Sequence, residues 1–247
     1  MSASSSNGDE LQADPSMSTG SWSDYWERID DKQYVFRVEA SDYVARLRRL
    51  IQPATAMAVL DFGCGFGYVA AELSGNVRRI ALWDASATVR RQASERVRGL
   101  ENVEFVDLES MDSSQLGERF DLILAHSVVQ YMTPAEILVW LARWRTMLND
   151  RGRIVLSDLI LPGAGGLGEL LSYLRFAYGR GFFWKAFTDG VAEIPQYWKA
   201  RNNLPLTSAT RQQWETWAEQ SGLRLEWLPE NLSHRQARST AVFQSMA

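Results

Sequence analysis

From residue 57 onward, short apolar runs alternate with amphipathic stretches. The runs are MAVLDF (57–62), RIALWD (79–84), VEFVD (103–107), FDLILAH (120–126) and RIVLSDLI (153–160). Each is short and almost unbroken by polar residues, which predicts strands buried on both faces. Between them, residues 68–73, 86–98 and 134–148 carry helical spacing, the last with Thr133 as cap and Pro134 in the first turn. Strands alternating with helices predict an α/β fold, a doubly wound and mostly parallel sheet. Upstream, residues 22–30 and 37–51 read as helices, the second stopped by Pro53, and residues 1–20 as a disordered leader with neither a basic start nor an apolar middle. Downstream, GAGGLG (163–168) opens a stretch dense in aromatics. A helix over 208–221, ended by Gly222, then precedes two strand-like runs, LRLEWL (223–228) and STAVF (239–243). The reading is a single domain over 21–247: N-terminal helices (21–52), a core (57–160), a lid or substrate segment (161–206) and a C-terminal helix with a strand hairpin (207–247).

Composition narrows the function classes. The net charge is −4 from 26 basic and 30 acidic residues, an acidic balance that argues against a nucleic-acid partner. No run approaches the roughly 18 apolar residues of a membrane helix. One cysteine, Cys64, excludes an internal disulfide framework and suits a reducing cytosol, hence a cytoplasmic location. Two histidines and one cysteine leave little material for a zinc site, and no metal is expected.

The chemistry gathers at three strand ends. Asp61 ends the first, followed by Gly63, Cys64, Gly65, Phe66 and Gly67 and then a helix. Glycines there let a ligand approach the backbone and the helix amides. Tyr68 stands where the dinucleotide fingerprint places its third glycine. Asp61 would repel a pyrophosphate and attract an ammonium group. Asp84 ends the second run, 21 residues after Gly63, at the offset where such folds grip a ribose diol. Asp107 with Leu108 offers an acceptor and an apolar wall for an adenine, although an aspartate there is also a common turn former. An amino acid, a ribose and an adenine without phosphate compose S-adenosylmethionine.

VLDFGCGFG, ALWDAS, FVDLESM, FDLILAHSVVQYM and LNDRGRIVLSD together resemble the motifs of the class I S-adenosylmethionine-dependent methyltransferases, small-molecule type. The resemblance implies a Rossmann-like, seven-stranded sheet with the last strand antiparallel. It also implies a donor held by Asp61, Gly63, Gly65 and Gly67 at its methionine end, Asp84 at the ribose and Asp107 with Leu108 at the adenine. His126 would offer its backbone carbonyl to the donor. Trp83, bulky where relatives carry a small aliphatic, is expected beside the ribose or adenine. His126-Ser127-Val128-Val129 replaces the Asn-Pro-Pro-aromatic signature of amine methylation on bases and glutamines, so that activity is not expected.

Two histidines are candidate bases. His126 ends the fourth strand, with a backbone-only role as its alternative; His234 lies in the loop 229–238 with Arg235 and Arg238, against the alternative of a solvated hairpin tip. Asp158, ending the fifth strand, is a third candidate unless it only turns the chain. For the acceptor the expected positions are Trp26, Tyr34, Tyr131, Phe183, Trp184 and Arg238, with residues 173–198 as a lid hinged at 163–168. Arginine pairs at 48–49, 78–79 and 90–91 read as solvated faces. The expected activity is methyl transfer to an oxygen or nitrogen of a small apolar or aromatic metabolite, of the kind found in secondary metabolism, by a monomer or homodimer. The alternatives are an anionic acceptor, a carboxylate or phosphonate clamped by Arg235 and Arg238, and a non-catalytic protein that uses the adenosyl pocket as scaffold. An oxidoreductase is the weakest rival.

Overall fold

The structure, a computed structural model, describes residues 33–110, 117–163, 167–181 and 206–246. The expected leader, the helix over 22–30 with Trp26, and Phe183 and Trp184 of the aromatic stretch lie outside the described residues.

Helix α1 (Gln33–Leu50) precedes strand β1 (Ala58–Phe62), helix α2 (Tyr68–Leu73), strand β2 (Arg79–Trp83), helix α3 (Ala87–Arg96) and strand β3 (Val103–Phe105). Strand β4 (Phe120–His126), helix α4 (Pro134–Met147) and strand β5 (Leu148–Leu159) follow. Helices α5 (Leu167–Gly179) and α6 (Arg211–Gln220) and strands β6 (Leu223–Trp227) and β7 (Ser239–Ser245) complete the described chain. The seven strands form one sheet in the order β3-β2-β1-β4-β5-β7-β6. Strands β1 to β5 pair in parallel, and β7 runs antiparallel to both β5 and β6. The sheet, its parallel character and the antiparallel last strand agree with the sequence reading.

Alternation along the strands sets two core layers. Leu60, Phe62, Ala81 and Trp83 face Ile137, Leu141 and Trp144 of α4 and Trp214 of α6. Val59, Ile80 and Leu82 face Tyr43 and Leu47 of α1, Ala70 of α2 and Ala93 of α3. Burying aromatic side chains such as Phe62 and Trp144, both without solvent exposure, contributes about 1.5–3 kcal/mol each. Asp61 follows the second parity and projects among the helices of the second layer.

Element ends differ from the sequence reading in understandable places. α1 begins at Gln33 rather than 37. β5 begins at Leu148 rather than 153, because Leu148 pairs with Phe120 before the register shifts. Gly152 serves that irregularity, since a Cβ there would stand 2.8 Å from the Phe120 carbonyl. Of the segment expected as a hinge (163–168), residues 164–166 lie outside the described residues and Leu167 already belongs to helix α5. Thr210, not a residue near 208, caps α6, through a capping box with Gln213. Among the described residues, no helix is long and apolar enough to cross a membrane.

Candidate functional site

The register puts the carboxyl ends of the central strands level, with Phe62 beside Trp83 and His126 beside Ser157. In an open α/β sheet this edge is where ligands bind.

Gly63, Gly65 and Gly67 have φ of +70°, +54° and +77°, the left-handed region that side chains disfavour. The turn is closed by Gly63 and Cys64 amides donating to the Trp83 carbonyl at 2.7 and 3.0 Å. It is braced from α3 by Arg96, which donates to the Phe66 carbonyl at 2.5 Å and lies 3.6 Å over the Tyr68 ring. A Cβ on Gly63 would stand 2.3 Å from Val128 Cγ2, whereas one on Gly65 would meet nothing within 4 Å. Gly63 is needed by packing, and Gly65 leaves room for something else.

Asp61 is 3% exposed, and its Oδ2 has no hydrogen-bond partner among the described residues. Burial, reinforced by the charge of Asp84, pushes its carboxyl up to about 7. Such a carboxylate is costly unless a cation joins it. Asp84 is anchored instead: Oδ2 accepts from the Gly65 amide at 3.0 Å and Oδ1 from the Ser86 amide at 2.9 Å. Burial raises its carboxyl too, opposed by those amides and by Arg90. Each Asp84 oxygen keeps a second lone pair for a diol. Arg90, expected on a solvated face, donates to the Asp84 and Ala85 carbonyls and so fixes this turn.

Asp107 is exposed and accepts from Ser110 Oγ at 2.6 Å and the Glu109 amide at 3.1 Å, which hold its carboxyl below the usual range. Leu108 is fully buried. Trp83 is 7% exposed and stacks on Phe62 with centroids 4.4 Å apart, beside Trp140 at 5.5 Å. Its ring belongs to the core layer shared with Leu108.

On the far side, His126 stacks on Tyr43 at 4.2 Å, and its Nδ1 shares a 3.0 Å hydrogen bond with Ser157 Oγ. Burial lowers its pKa. Asp158 is 1% exposed and sits at φ +65°, as Ser127 sits at +56°, and the Ser127 hydroxyl donates to Asp158 Oδ2. Asp158 also accepts from Asn231 Nδ2 at 2.6 Å, Ser233 Oγ at 2.5 Å and Arg235 Nη1 at 3.1 Å. Burial alone would raise its carboxyl, but His126, Arg235 and Arg238 hold it far below the usual range.

The loop 229–238 is no solvated tip: Asn231, Leu232, Ser233, His234 and Arg238 are all buried. Arg238 donates to Glu169 at 2.7 Å and to Gln130 at 2.5 Å. Both arginines expected to clamp an anion are thus already paired, Arg235 with Asp158 and Arg238 with Glu169. Tyr131 lies in a short turn (Val129–Tyr131) near enough to Arg235 to influence it. Tyr34 is half exposed, its hydroxyl donating to the Arg180 carbonyl at 3.4 Å.

Sequence reasoning missed Glu39 and Tyr43 of α1. Both fall with Phe36 on the stripe facing the sheet edge, and a carboxylate interrupting an apolar stripe was the available signal. Asn231, whose amide group ties Asp158 to the loop, carried no such mark.

Residues 60–154 match a family described as a methyltransferase domain. No curated protein matches the chain in sequence. Among solved structures, the mitomycin 7-O-methyltransferase MmcR superposes with a TM-score of 0.62 at 15% identity, over 92% of this chain and 61% of its own. The S-adenosylhomocysteine-bound CalO1, a methyltransferase in calicheamicin biosynthesis, gives 0.55 at 16%, over 85% and 54%. The DhpI–SAH complex gives 0.58 at 14%, over 90% and 94%. This chain therefore spans about three-fifths of MmcR and about half of CalO1, and at these identities the likeness is one of fold. Residues 60–154 thus match a methyltransferase domain, on the fold of proteins solved with S-adenosylhomocysteine, the demethylated form of the donor S-adenosylmethionine.

The residues present fit that donor: a buried carboxylate at Asp61, unpartnered among the described residues, for its ammonium, open space at Gly65, and an anchored Asp84 for its ribose. When bound, S-adenosylmethionine supplies an electrophilic methyl group. Among the described residues no group of three or more His, Cys, Asp or Glu is placed to hold a metal ion.

Proposed function

We propose that the chain transfers a methyl group from S-adenosylmethionine to an oxygen or nitrogen of a small, largely apolar or aromatic molecule. The observation that carries the reading is Asp61. A buried carboxylate with no partner among the described residues, beside three left-handed glycines and an anchored Asp84, matches an amino-acid ammonium and not a pyrophosphate. Methyl transfer is a direct displacement, so the protein's part is to align the partners and keep water away. An apolar acceptor is supported by Tyr173 and Phe176, which lie against His234, and by the engagement of both arginines that could hold an anion.

Of the two histidines, His234 suits the role of base better. The His126 ring is committed to Ser157 and Tyr43, whereas His234 Nε2 is buried and unbonded among the described residues. The location remains cytoplasmic and the assembly monomer or homodimer in this reading, with no nucleic-acid or membrane partner.

Calorimetry with S-adenosylhomocysteine and, separately, NAD tests the donor. Binding of the first alone is expected, and binding of NAD alone would end the reading. Labelled methyl donor incubated with a panel of phenols, alcohols and amines then tests the acceptor class.

A further inference from the structure

Glu39 and His234 come from opposite ends of the chain and meet at the acceptor side. Glu39 lies on α1, its side chain 20% exposed, with Oε1 3.6 Å from His234 Nδ1 and 3.9 Å from Arg235 Nη2. The imidazole is 6% exposed, stacked on Phe176 at 4.4 Å and 14°, with Tyr173 at 5.8 Å. Its loop is fixed on both sides of the ring: Ser172 Oγ donates to the His234 carbonyl at 2.5 Å, and Arg235 and Arg238 are tied to Asp158 and Glu169. The ring is therefore held with one nitrogen toward a carboxylate and the other, Nε2, unbonded among the described residues.

Resting on the methyltransferase reading, we propose that His234 and Glu39 form a two-step proton relay for a hydroxyl-bearing acceptor: Nε2 takes the hydroxyl proton while Nδ1 passes its own to Glu39. Glu39 is then a positioning residue that acts through the ring and finally holds the proton. In that step the acceptor's O–H bond breaks as its oxygen bonds the methyl carbon. The electron pair of the broken carbon–sulfur bond stays on sulfur, and the Nδ1 proton moves to Oε1 as Nε2 gains one. The imidazole is neutral before and after, and only its tautomer changes.

The electrostatics favour this outcome over an imidazolium. Burial, with Arg235, pushes His234 down to about 3, so a doubly protonated ring is disfavoured. Burial raises the Glu39 carboxyl above its ordinary value, with Arg235 opposing and Asp158 and Asp42 assisting. The arrangement is the reverse of a serine-protease triad, in which the carboxylate stays ionised and the imidazolium forms. The groups facing the pair are Arg235 and Arg238 of the same loop, Asp158 at the end of β5, His126 at the end of β4 and Asp42 on α1. Glu169 of α5 acts through Arg238.

The chain has two histidines, so the full chain without added histidines, labelled with 15N at its imidazoles, gives two sets of ring signals. The H126Q variant assigns them. In complex with S-adenosylhomocysteine, the His234 proton is expected on Nδ1 while Glu39 is ionised, and on Nε2 once falling pH has protonated the carboxyl that burial raises. E39D should keep this switch and E39Q should abolish it. The relay is overturned if both nitrogens become protonated together, if the wild-type tautomer ignores pH, or if E39Q switches as the wild type does. The wild-type titration decides the matter even where E39Q does not fold. Calorimetry on the same sample separates the two readings. A wild-type chain that binds no S-adenosylhomocysteine ends the methyltransferase reading and the relay with it. One that binds, with an inert Glu39, ends the relay alone.

Discussion

Asp61 and Asp84 end neighbouring parallel strands, and of the two it is Asp84 that the surrounding backbone satisfies. Its two oxygens accept from the Gly65 and Ser86 amides at 3.0 and 2.9 Å, while Asp61 Oδ2, more deeply withdrawn from water, accepts from none of the described residues. The pair is asymmetric: one carboxylate shapes the turn, and the other is buried without a partner among the described residues.

Donor affinity should therefore depend on pH through Asp61. Burial and Asp84 lift its carboxyl to about 7, and only the ionised form pairs with an ammonium. Below pH 7 the site must lose a proton before it binds, so affinity falls with falling pH by up to about tenfold per unit. Calorimetry with S-adenosylhomocysteine in buffers of different ionisation enthalpy should detect proton release on binding near pH 6 and none near pH 8. A flat profile would assign the ammonium to another group.

The same carboxylate should burden the free protein. Asp61 has a folded pKa raised above its unfolded value, so its contribution to stability is greatest at low pH and is lost as pH rises through about 7. D61N should raise Tm at pH 8, on the order of 2–4 °C for each kcal/mol recovered, while abolishing measurable donor binding. Thermal shift with and without S-adenosylhomocysteine reads both effects in one experiment.

The two glycines should separate packing from ligand space. G63A drives a methyl group to within 2.3 Å of Val128 Cγ2 and adds left-handed strain. A loss above about 2 kcal/mol is expected, by overpacking plus strain. G65A meets nothing in the protein and should cost only the left-handed penalty of roughly 1–2 kcal/mol. Its added methyl nonetheless occupies the donor's approach, so affinity should fall out of proportion to stability. Chemical denaturation beside ligand titration separates the two variants.

The sheet and the glycine turn beside Asp61 were legible in the sequence because both are local. Short unbroken apolar runs mark β1, β2 and β4, a period of 3.6 marks the helices between them, and the glycine loop lies within a few residues of Asp61. The cluster around His234 was legible only as single residues. His234 was picked out by its position, but its environment is assembled from Glu39, Phe176 and Asp158, separated from it in sequence by tens to hundreds of residues. Arg235 and Arg238 looked available because a sequence does not show that Asp158 and Glu169 fold back onto them. Arg90 looked solvated for a related reason: its partners are main-chain carbonyls, which carry no side-chain signature.

Asp158 offers the sharpest test of the scaffold around His234. Its carboxylate is fully buried, and Arg235 supplies a charged partner at 3.1 Å beside the neutral donors Ser127, Asn231 and Ser233. Removing the guanidinium in R235M leaves that charge without its ion pair, for an expected loss of about 3–5 kcal/mol. Because the folded pKa of Asp158 lies below its unfolded value, its stabilising contribution is present at neutral pH and declines as pH falls below about 4. The wild type should therefore lose stability steeply in acid, and R235M less so, the two denaturation midpoints converging as Asp158 protonates. The double variant D158N/R235M should recover part of the R235M loss at neutral pH, since it removes the stranded charge while the amide oxygen introduced there can still accept from Ser233. Urea denaturation of these three proteins and of D158N across pH measures this coupling, and strictly additive losses would show that Arg235 is held by Glu39 instead.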